Sequence, residues 1–131
     1  MPTMSDKSIA QRLMIKVGRT ALFVNAPRGY AATIGALPKD AQVLKAATRP
    51  ADVVQVFVKN RAELEAELPK AKTLISEGGS LWLTYPKGAS KKYKADIHRD
   101  SIHAYAKTIG LAGVALISID DDWSAMRFKI V

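Results

Sequence analysis

At 131 residues, 48% of them hydrophobic and 24% charged, the chain is long enough for one core and too apolar to remain disordered. It contains no cysteine, which excludes disulfides, thiol nucleophiles and cysteine-bound zinc, and suits a reducing compartment. Twenty Lys and Arg against twelve Asp and Glu leave a formal charge of +8, which favours anionic partners through long-range attraction: a phosphorylated small molecule, an acidic protein or nucleic acid.

The opening "MPTMSDKSIAQRLMIK" carries charges where a signal peptide needs an apolar core, and no apolar run approaches the roughly 18 residues of a membrane span. The expectation is a soluble, cytoplasmic chain folded as a single domain over residues 1–131. Ile9, Leu13 and Val17 recur at spacings of four, which predicts a short amphipathic helix over 5–17 with Ser5 or Asp6 as N-cap and Gly18 past its end. "TALFVN" (20–25) is an apolar run stopped by the turn signal "APRG" and predicts a buried strand. One or two helical turns fit residues 29–37, and "AQVLKAA" is a weaker strand.

"ADVVQVFVKN" (51–60) is the clearest strand, a near-continuous β-branched and aromatic run of the kind buried on both faces of a parallel sheet. A helix follows, with Asn60 and Glu63 spaced as a capping box and Leu64, Leu68, Ala71 and Ile75 on one face. Pro69 lies inside that pattern, which predicts a kink or split, and Gly78 and Gly79 are expected to end the helix. "SLWLTY" (80–85) predicts the next strand. Asp100 is then the expected cap of a helix bearing Ile102, Tyr105, Ala106 and Ile109 and closed by Gly110. "GVALISI" and "AMRFKIV" flank "DDDWS" as an antiparallel pair, the last strand alternating Met126, Phe128 and Ile130 with Arg127 and Lys129. Strands alternating with helices define an α/β domain whose mainly parallel sheet is covered on both sides.

The stretches "DVVQVFV", "LISEGGSLWLTYPK" and "WSAMRFKIV" resemble the second half of a class I S-adenosylmethionine-dependent methyltransferase. "VNAPRGY", "GGSLWLTYPK" and "DDDWSAMRF", with their spacing, resemble a bacterial family of small uncharacterised proteins with a domain of unknown function. The resemblance implies a three-layer Rossmann-like, methyltransferase-like fold, with a mainly parallel sheet and an antiparallel C-terminal strand pair. It implies one strand fewer than the full methyltransferase set, because the segment between the first two strands is short. It does not carry over a cofactor site. Such a site needs a glycine-rich turn after the first strand and an acidic residue near the end of the second. Here the first turn is "NAPRGY", and Lys45 and Arg49 precede Asp52. No cofactor is expected, S-adenosylmethionine included.

Ligands of open α/β sheets bind beyond the carboxyl ends of the parallel strands. The candidate binding residues are therefore Asn25 and Arg28 after the first strand, Lys59 and Arg61 after the central one, and Tyr85, Lys87 and Lys91 after the next. Together they predict a positive crevice for an anionic ligand or partner, and a non-catalytic binding or regulatory module. The alternatives are an enzyme with a degenerate site containing Tyr85, His98 or Asp122, and a nucleic-acid-binding protein. "PKGASKK" lacks the spaced glycines and GK[ST] ending of a phosphate-binding loop. Asp120, Asp121 and Asp122 suit a turn better than a metal, because consecutive residues rarely aim at one centre. Two histidines are too few for a histidine-based metal site, and Ser90, Ser101 and Ser124 lack a nucleophile elbow. Trp82 and Trp123 are expected to pack in the core.

Overall fold

The structure is a computed structural model and describes residues 7–88, 90 and 92–131. Six strands form one sheet: β1 (Thr20–Val24), β2 (Gln42–Val43), β3 (Ala51–Phe57), β4 (Ile75–Pro86), β5 (Leu111–Ser118) and β6 (Trp123–Ile130). Their order is β2-β1-β3-β4-β6-β5. The first four strands are parallel, and β6 runs antiparallel to both β4 and β5. Helices α2 (Arg61–Lys72) and α3 (Arg99–Thr108) cover one face, where Leu64, Leu68, Ile102 and Ala106 join Val54, Val56, Leu81 and Leu83. Helix α1 (Ile9–Arg12) and a 3-10 turn over Tyr30–Thr33 cover the other, where Leu13, Tyr30 and Ile34 meet Phe57, Trp82 and Ala125. No helix among the described residues is long and apolar enough to cross a membrane.

The first helix is much shorter than the period of four implies. Ser8 caps it, its Oγ accepting from Gln11 N while Gln11 Oε1 accepts from Ser8 N. The expected caps Ser5 and Asp6 lie outside the described residues. The helix stops because Met14 takes a left-handed φ of 64°, so that Ile15 N reaches back to the carbonyl of Ala10 and Met14 N to that of Gln11. This is the Schellman closure, made here without glycine. Val17 consequently leaves the core and is exposed.

Helix α2 runs unbroken through Pro69. Proline deprives the carbonyl four residues earlier, on Glu65, of its helical donor; the Tyr105 hydroxyl, from α3, donates to that carbonyl at 3.4 Å. The helix ends at Lys72, so Gly78 and Gly79 lie within β4 rather than closing α2. Gly79 is required by a close approach: a Cβ there would stand 2.7 Å from the carbonyl oxygen of Asp52. The cap of α3 is His98, not Asp100, which sits in its first turn. Strand β6 is also less one-sided than its alternation suggests. Because it lies inside the sheet with β5 outside it, Trp123 and Ala125 are buried on one face and Met126 and Phe128 on the other, whereas Ile130 is exposed.

Asp52 ties the amino ends of three strands together. Its carboxylate accepts from Thr20 N at 2.9 Å, Thr20 Oγ1 at 3.2 Å and Ser76 Oγ at 2.9 Å, with Arg19 3.5 Å away. The Thr20 backbone bond, above all, holds its pKa below the usual carboxylate range against the opposing effect of burial. A carboxylate lowered in the folded state stabilises above its unfolded pKa of about 3.9, and that contribution is lost as the pH falls through the folded value. Asp52→Ala is therefore expected to cost about 2 kcal/mol at pH 7. In urea titrations between pH 2.5 and 7, the difference from wild type should shrink at the acid end.

Candidate functional site

The parallel register of β1, β3 and β4 brings Asn25, Lys59 and Tyr85 to one edge of the sheet, as the sequence requires. Several clefts open there, among them one of about 280 Å³ along the lysine-rich segment, lined by Lys87, Ser90, Tyr93 and Lys94, and two others that divide the expected residues between them. The order reverses between β1 and β3, since β2 lies to one side of β1 and β3 to the other, and a cleft of about 530 Å³ sits at this switch point. It is lined by Asn25, Lys59, Glu63 and Glu67. Asn25, immediately after β1, adopts a left-handed φ of 58°, a conformation asparagine tolerates better than most residues. The second cleft, of about 320 Å³, lies between the end of β4 and the first turn of α3 and is lined by Tyr85, Lys87, His98, Arg99, Asp100 and Leu116.

The lysine-rich segment itself separates the two. Past β4, Lys87 N donates to the Asp122 carbonyl at 2.8 Å and Ser90 Oγ to Asp122 Oδ1 at 2.8 Å, which ties the chain to the β5–β6 turn. Tyr93 then packs on Trp123 with ring centroids 4.9 Å apart, and the ammonium groups of Lys59 and Lys92 lie 5.7 and 5.4 Å from its ring centre. Trp123 continues through Phe57 and Tyr30 to Phe23 as a row of edge-on contacts, so it is a packing residue. Farther on, Asp96 Oδ1 accepts from Arg61 N at 2.7 Å, and Ile97 enters the core under α2 and α3.

Of the seven expected binding residues, Asn25 and Lys59 thus share the switch-point cleft, and Tyr85 and Lys87 share the other. Arg61 lines neither. Its guanidinium turns along α2 to Glu65, with 2.5 Å between Nε and Oε2, and stacks 5.2 Å from the ring centre of Tyr105. Arg28 is exposed on the loop after β1, with no hydrogen bond or ion pair among the described residues. Lys91 lies outside the described residues. The pattern missed Asp96, Tyr93 and Arg99. Only Arg99 left a local signal: a cation at the start of a helix opposes the helix dipole and so asks for a reason.

The two helix starts differ in a way that bears on anions. At α2, Asn60 Oδ1 accepts from Glu63 N, Glu63 Oε1 accepts from Lys59 N, and Asp96 takes Arg61 N. The chain's own carboxylates and amide take those N–H groups, and only that of Ala62 is left there without an acceptor among the described residues. At α3 the His98 side chain makes no capping bond, and Ser101 Oγ takes the N–H of His98. Among the described residues, the N–H groups of Arg99 and Asp100 are left without an acceptor. Beside them stand Arg99 and Lys87, whose Nζ also donates to Ser118 Oγ at 2.7 Å. Tyr85 forms the inner wall. Burial pushes its phenol upward, against the charge of Arg99, so it remains a neutral hydroxyl at ordinary pH.

The acidic tip between β5 and β6 is a turn. Asp120 Oδ1 accepts from Asp122 N and Trp123 N, and Asp122 is engaged by Ser90. No cluster of His, Asp and Glu suited to a metal occurs among the described residues. His103 lies against Gly113, where any Cβ would collide with its ring.

Strand order, the two helices over one face and the final antiparallel pair define a Rossmann-like methyltransferase fold. Among solved structures it is similar to an S-adenosylmethionine-dependent methyltransferase from Aquifex aeolicus, with TM-score 0.58 and 11% identity over 100% of this chain and 94% of that one. It is also similar to a ribosomal protein L11 methylase from Lactobacillus delbrueckii subsp. bulgaricus, with TM-score 0.57 and 12% identity over 92% and 73% of the two chains. The Methanococcus jannaschii fibrillarin pre-rRNA processing protein gives TM-score 0.58 and 14% identity over 88% and 68%. At such identities the likeness is one of fold. Residues 37–130 match a family described as protein of unknown function (DUF3052), and the chain belongs to that family. No curated protein matches it.

The turn after β1 and the end of β2, singled out from the sequence for a cofactor's handles, carry neither a glycine-rich loop nor a carboxylate. The turn after β1 presents the side chains of Asn25 and Pro27, with Gly29 its only glycine. Strand β2 is two residues long and is followed by Leu44 and Lys45. Asp52 stands at the opposite, amino end of β3, held by Thr20 and Ser76.

Proposed function

We propose that the chain is a single-domain, non-catalytic binding or regulatory module, and that it holds an anionic small molecule, or the anionic group of a partner, between the end of β4 and the start of α3. The observation that carries this reading is the amino end of α3, where the N–H groups of Arg99 and Asp100 find no acceptor among the described residues and open beside Lys87 and Arg99, while at α2 Asp96 takes the N–H of Arg61. Free backbone N–H groups and the positive end of a helix dipole favour an anion, and flanking cations strengthen the preference. Asp100 offsets part of that charge. The cleft's volume of about 320 Å³ suits a phosphate ester or small carboxylic acid with a compact apolar body against Ile97 and Leu116. S-adenosylmethionine is outside this reading because neither of its handles is in place.

Thermal-shift titrations with inorganic phosphate, pyrophosphate and phenyl phosphate test it. A ligand at one hundred times its dissociation constant stabilises by ~2.7 kcal/mol. Arg99→Gln should weaken phosphate binding about tenfold or more, whereas Arg28→Gln should leave it unchanged. No stabilisation by any of the three, or equal losses in both variants, would contradict the proposal. A catalytic reading is favoured by one feature, the presence of Tyr85 and His98 in the same cleft. Nucleic acid as the anion is distinguished by salt: its affinity falls steeply as log salt rises, far more than that of one small anion.

A further inference from the structure

The two edges of the sheet are unlike. Strand β2 is two residues long, which is itself a protection against pairing with another chain. Strand β5 closes the other edge with eight residues, "LAGVALIS", that include no charge and no proline. Val114 and Leu116 on it are 44% and 47% exposed. The strand is protected only at two points, by a bulge between Gly113 and Ala115, after which the register with β6 is regular from Ala115 to Ser118, and by Arg12 at its carboxyl end. Ile119 N donates inward to the Trp123 carbonyl, and the outward carbonyl of Ser118 is taken by the Arg12 guanidinium. By the two-residue period, the N–H and C=O of Leu116 face outward as well, and no strand pairs with them.

We infer that β5 pairs antiparallel with β5 of a second copy of this chain, about a two-fold axis at Leu116. Charge selects this occupant and this direction. Asp120 and Asp121 follow the carboxyl end of β5, and Lys107 and Lys129 flank its amino end. Antiparallel pairing sets the acidic tip of each copy beside the basic end of the other, twice over; parallel pairing would set like against like. The arrangement is closed, so it gives a dimer with a continuous twelve-stranded sheet (6 + 6) rather than a fibre. Leu116 also lines the cleft between β4 and α3. Leu116 of the second copy would lie beside it on the same face and extend the apolar wall. That consequence rests on the binding reading above, whereas the association does not.

Because the chain has no cysteine, Leu116→Cys introduces a single thiol. Directly opposed residues in a hydrogen-bonded antiparallel pair stand about 5.5 Å apart at Cα, within disulfide reach. Mild oxidation should link the Leu116→Cys variant into a dimer, while Val17→Cys, at a site 64% exposed but away from this edge, stays monomeric. In sedimentation equilibrium, wild type should approach twice 14.2 kDa at tens of micromolar or above. Leu116→Lys should raise the dimer dissociation constant more than about 100-fold, with its melting temperature retained. A wild-type mass of 14.2 kDa throughout, or equal cross-linking of the two cysteine variants, would overturn the inference. Retained dimers that lose phosphate binding would instead count against the binding reading alone.

Discussion

Trp82→Ala should lower the free energy of unfolding by about 4 kcal/mol, a large part of the 5–15 kcal/mol that holds a domain of this size. Trp82 is 1% exposed and lies in β4 opposite Gln55 on one side and Arg127 on the other, at the centre of the face beneath α1. Its indole N–H donates to the Leu13 carbonyl at 3.2 Å, so the side chain also fastens the N-terminal segment to the sheet. Alanine would remove the buried area, leave a cavity among Leu13, Ile34 and Phe57, and strand a buried carbonyl. Trp82→Phe fills most of the space and should cost about half as much. Urea unfolding of the two variants measures the difference, and a cost below about 1 kcal/mol for alanine would mean that the N-terminal segment does not close this face.

Gln55→Leu comes next, at about 2–3 kcal/mol. Gln55 is fully buried in the central strand, an unusual place for an amide, and it is paired at both ends: the Tyr30 hydroxyl donates to Oε1 at 2.9 Å, and Nε2 donates to Thr84 Oγ1 at 2.8 Å. Leucine fills the space but leaves the phenol and the threonine hydroxyl in a dry core without partners. Tyr30→Phe should cost only about 1 kcal/mol, and the double variant less than the sum of the two. Burial pushes the Tyr30 phenol well above the ordinary tyrosine range, partly offset by the Gln55 bond. A group raised in the folded state stabilises fully below its unfolded pKa of about 10, and that stability drains away as the pH rises beyond it. Tyr30→Phe should accordingly blunt the loss of stability between pH 10 and 12, followed by urea titration.

The scaffold was largely legible because it follows from local rules. The apolar run of β3 announced a strand buried on both faces, and Asn60 with Glu63 announced the start of α2. Even Gln55 sits within a run whose other members are apolar, so its burial was readable although its partners were not. The first helix was misjudged for a local reason. Ser8 and Gln11 form an S-x-x-Q capping pattern that the choice of Ser5 or Asp6 passed over, and Met14 takes the left-handed turn that sequence rules assign to glycine. The candidate site was legible only in part. Strand order brought Asn25, Lys59, Tyr85 and Lys87 to one edge, as the alternation of elements implies. What divides them is long-range: Tyr93 seats on Trp123 thirty positions on, and Asp96 caps a helix thirty-five positions back. No local period encodes either contact. Lys87, Lys92 and Lys94 therefore belong to a segment pinned across the edge, beside which the N–H groups at the start of α3 stay open.

The most direct measurement is a titration of the ¹⁵N-labelled chain with inorganic phosphate, followed through its backbone amide resonances. The account predicts saturable shifts concentrated at Arg99, Asp100, Ser101 and Gly88, with Arg61 and Glu63 unmoved because Asp96 and Asn60 already hold their N–H groups. Shifts centred on Lys59 to Glu63, or small unsaturating shifts spread over all the lysine-bearing loops, would contradict it.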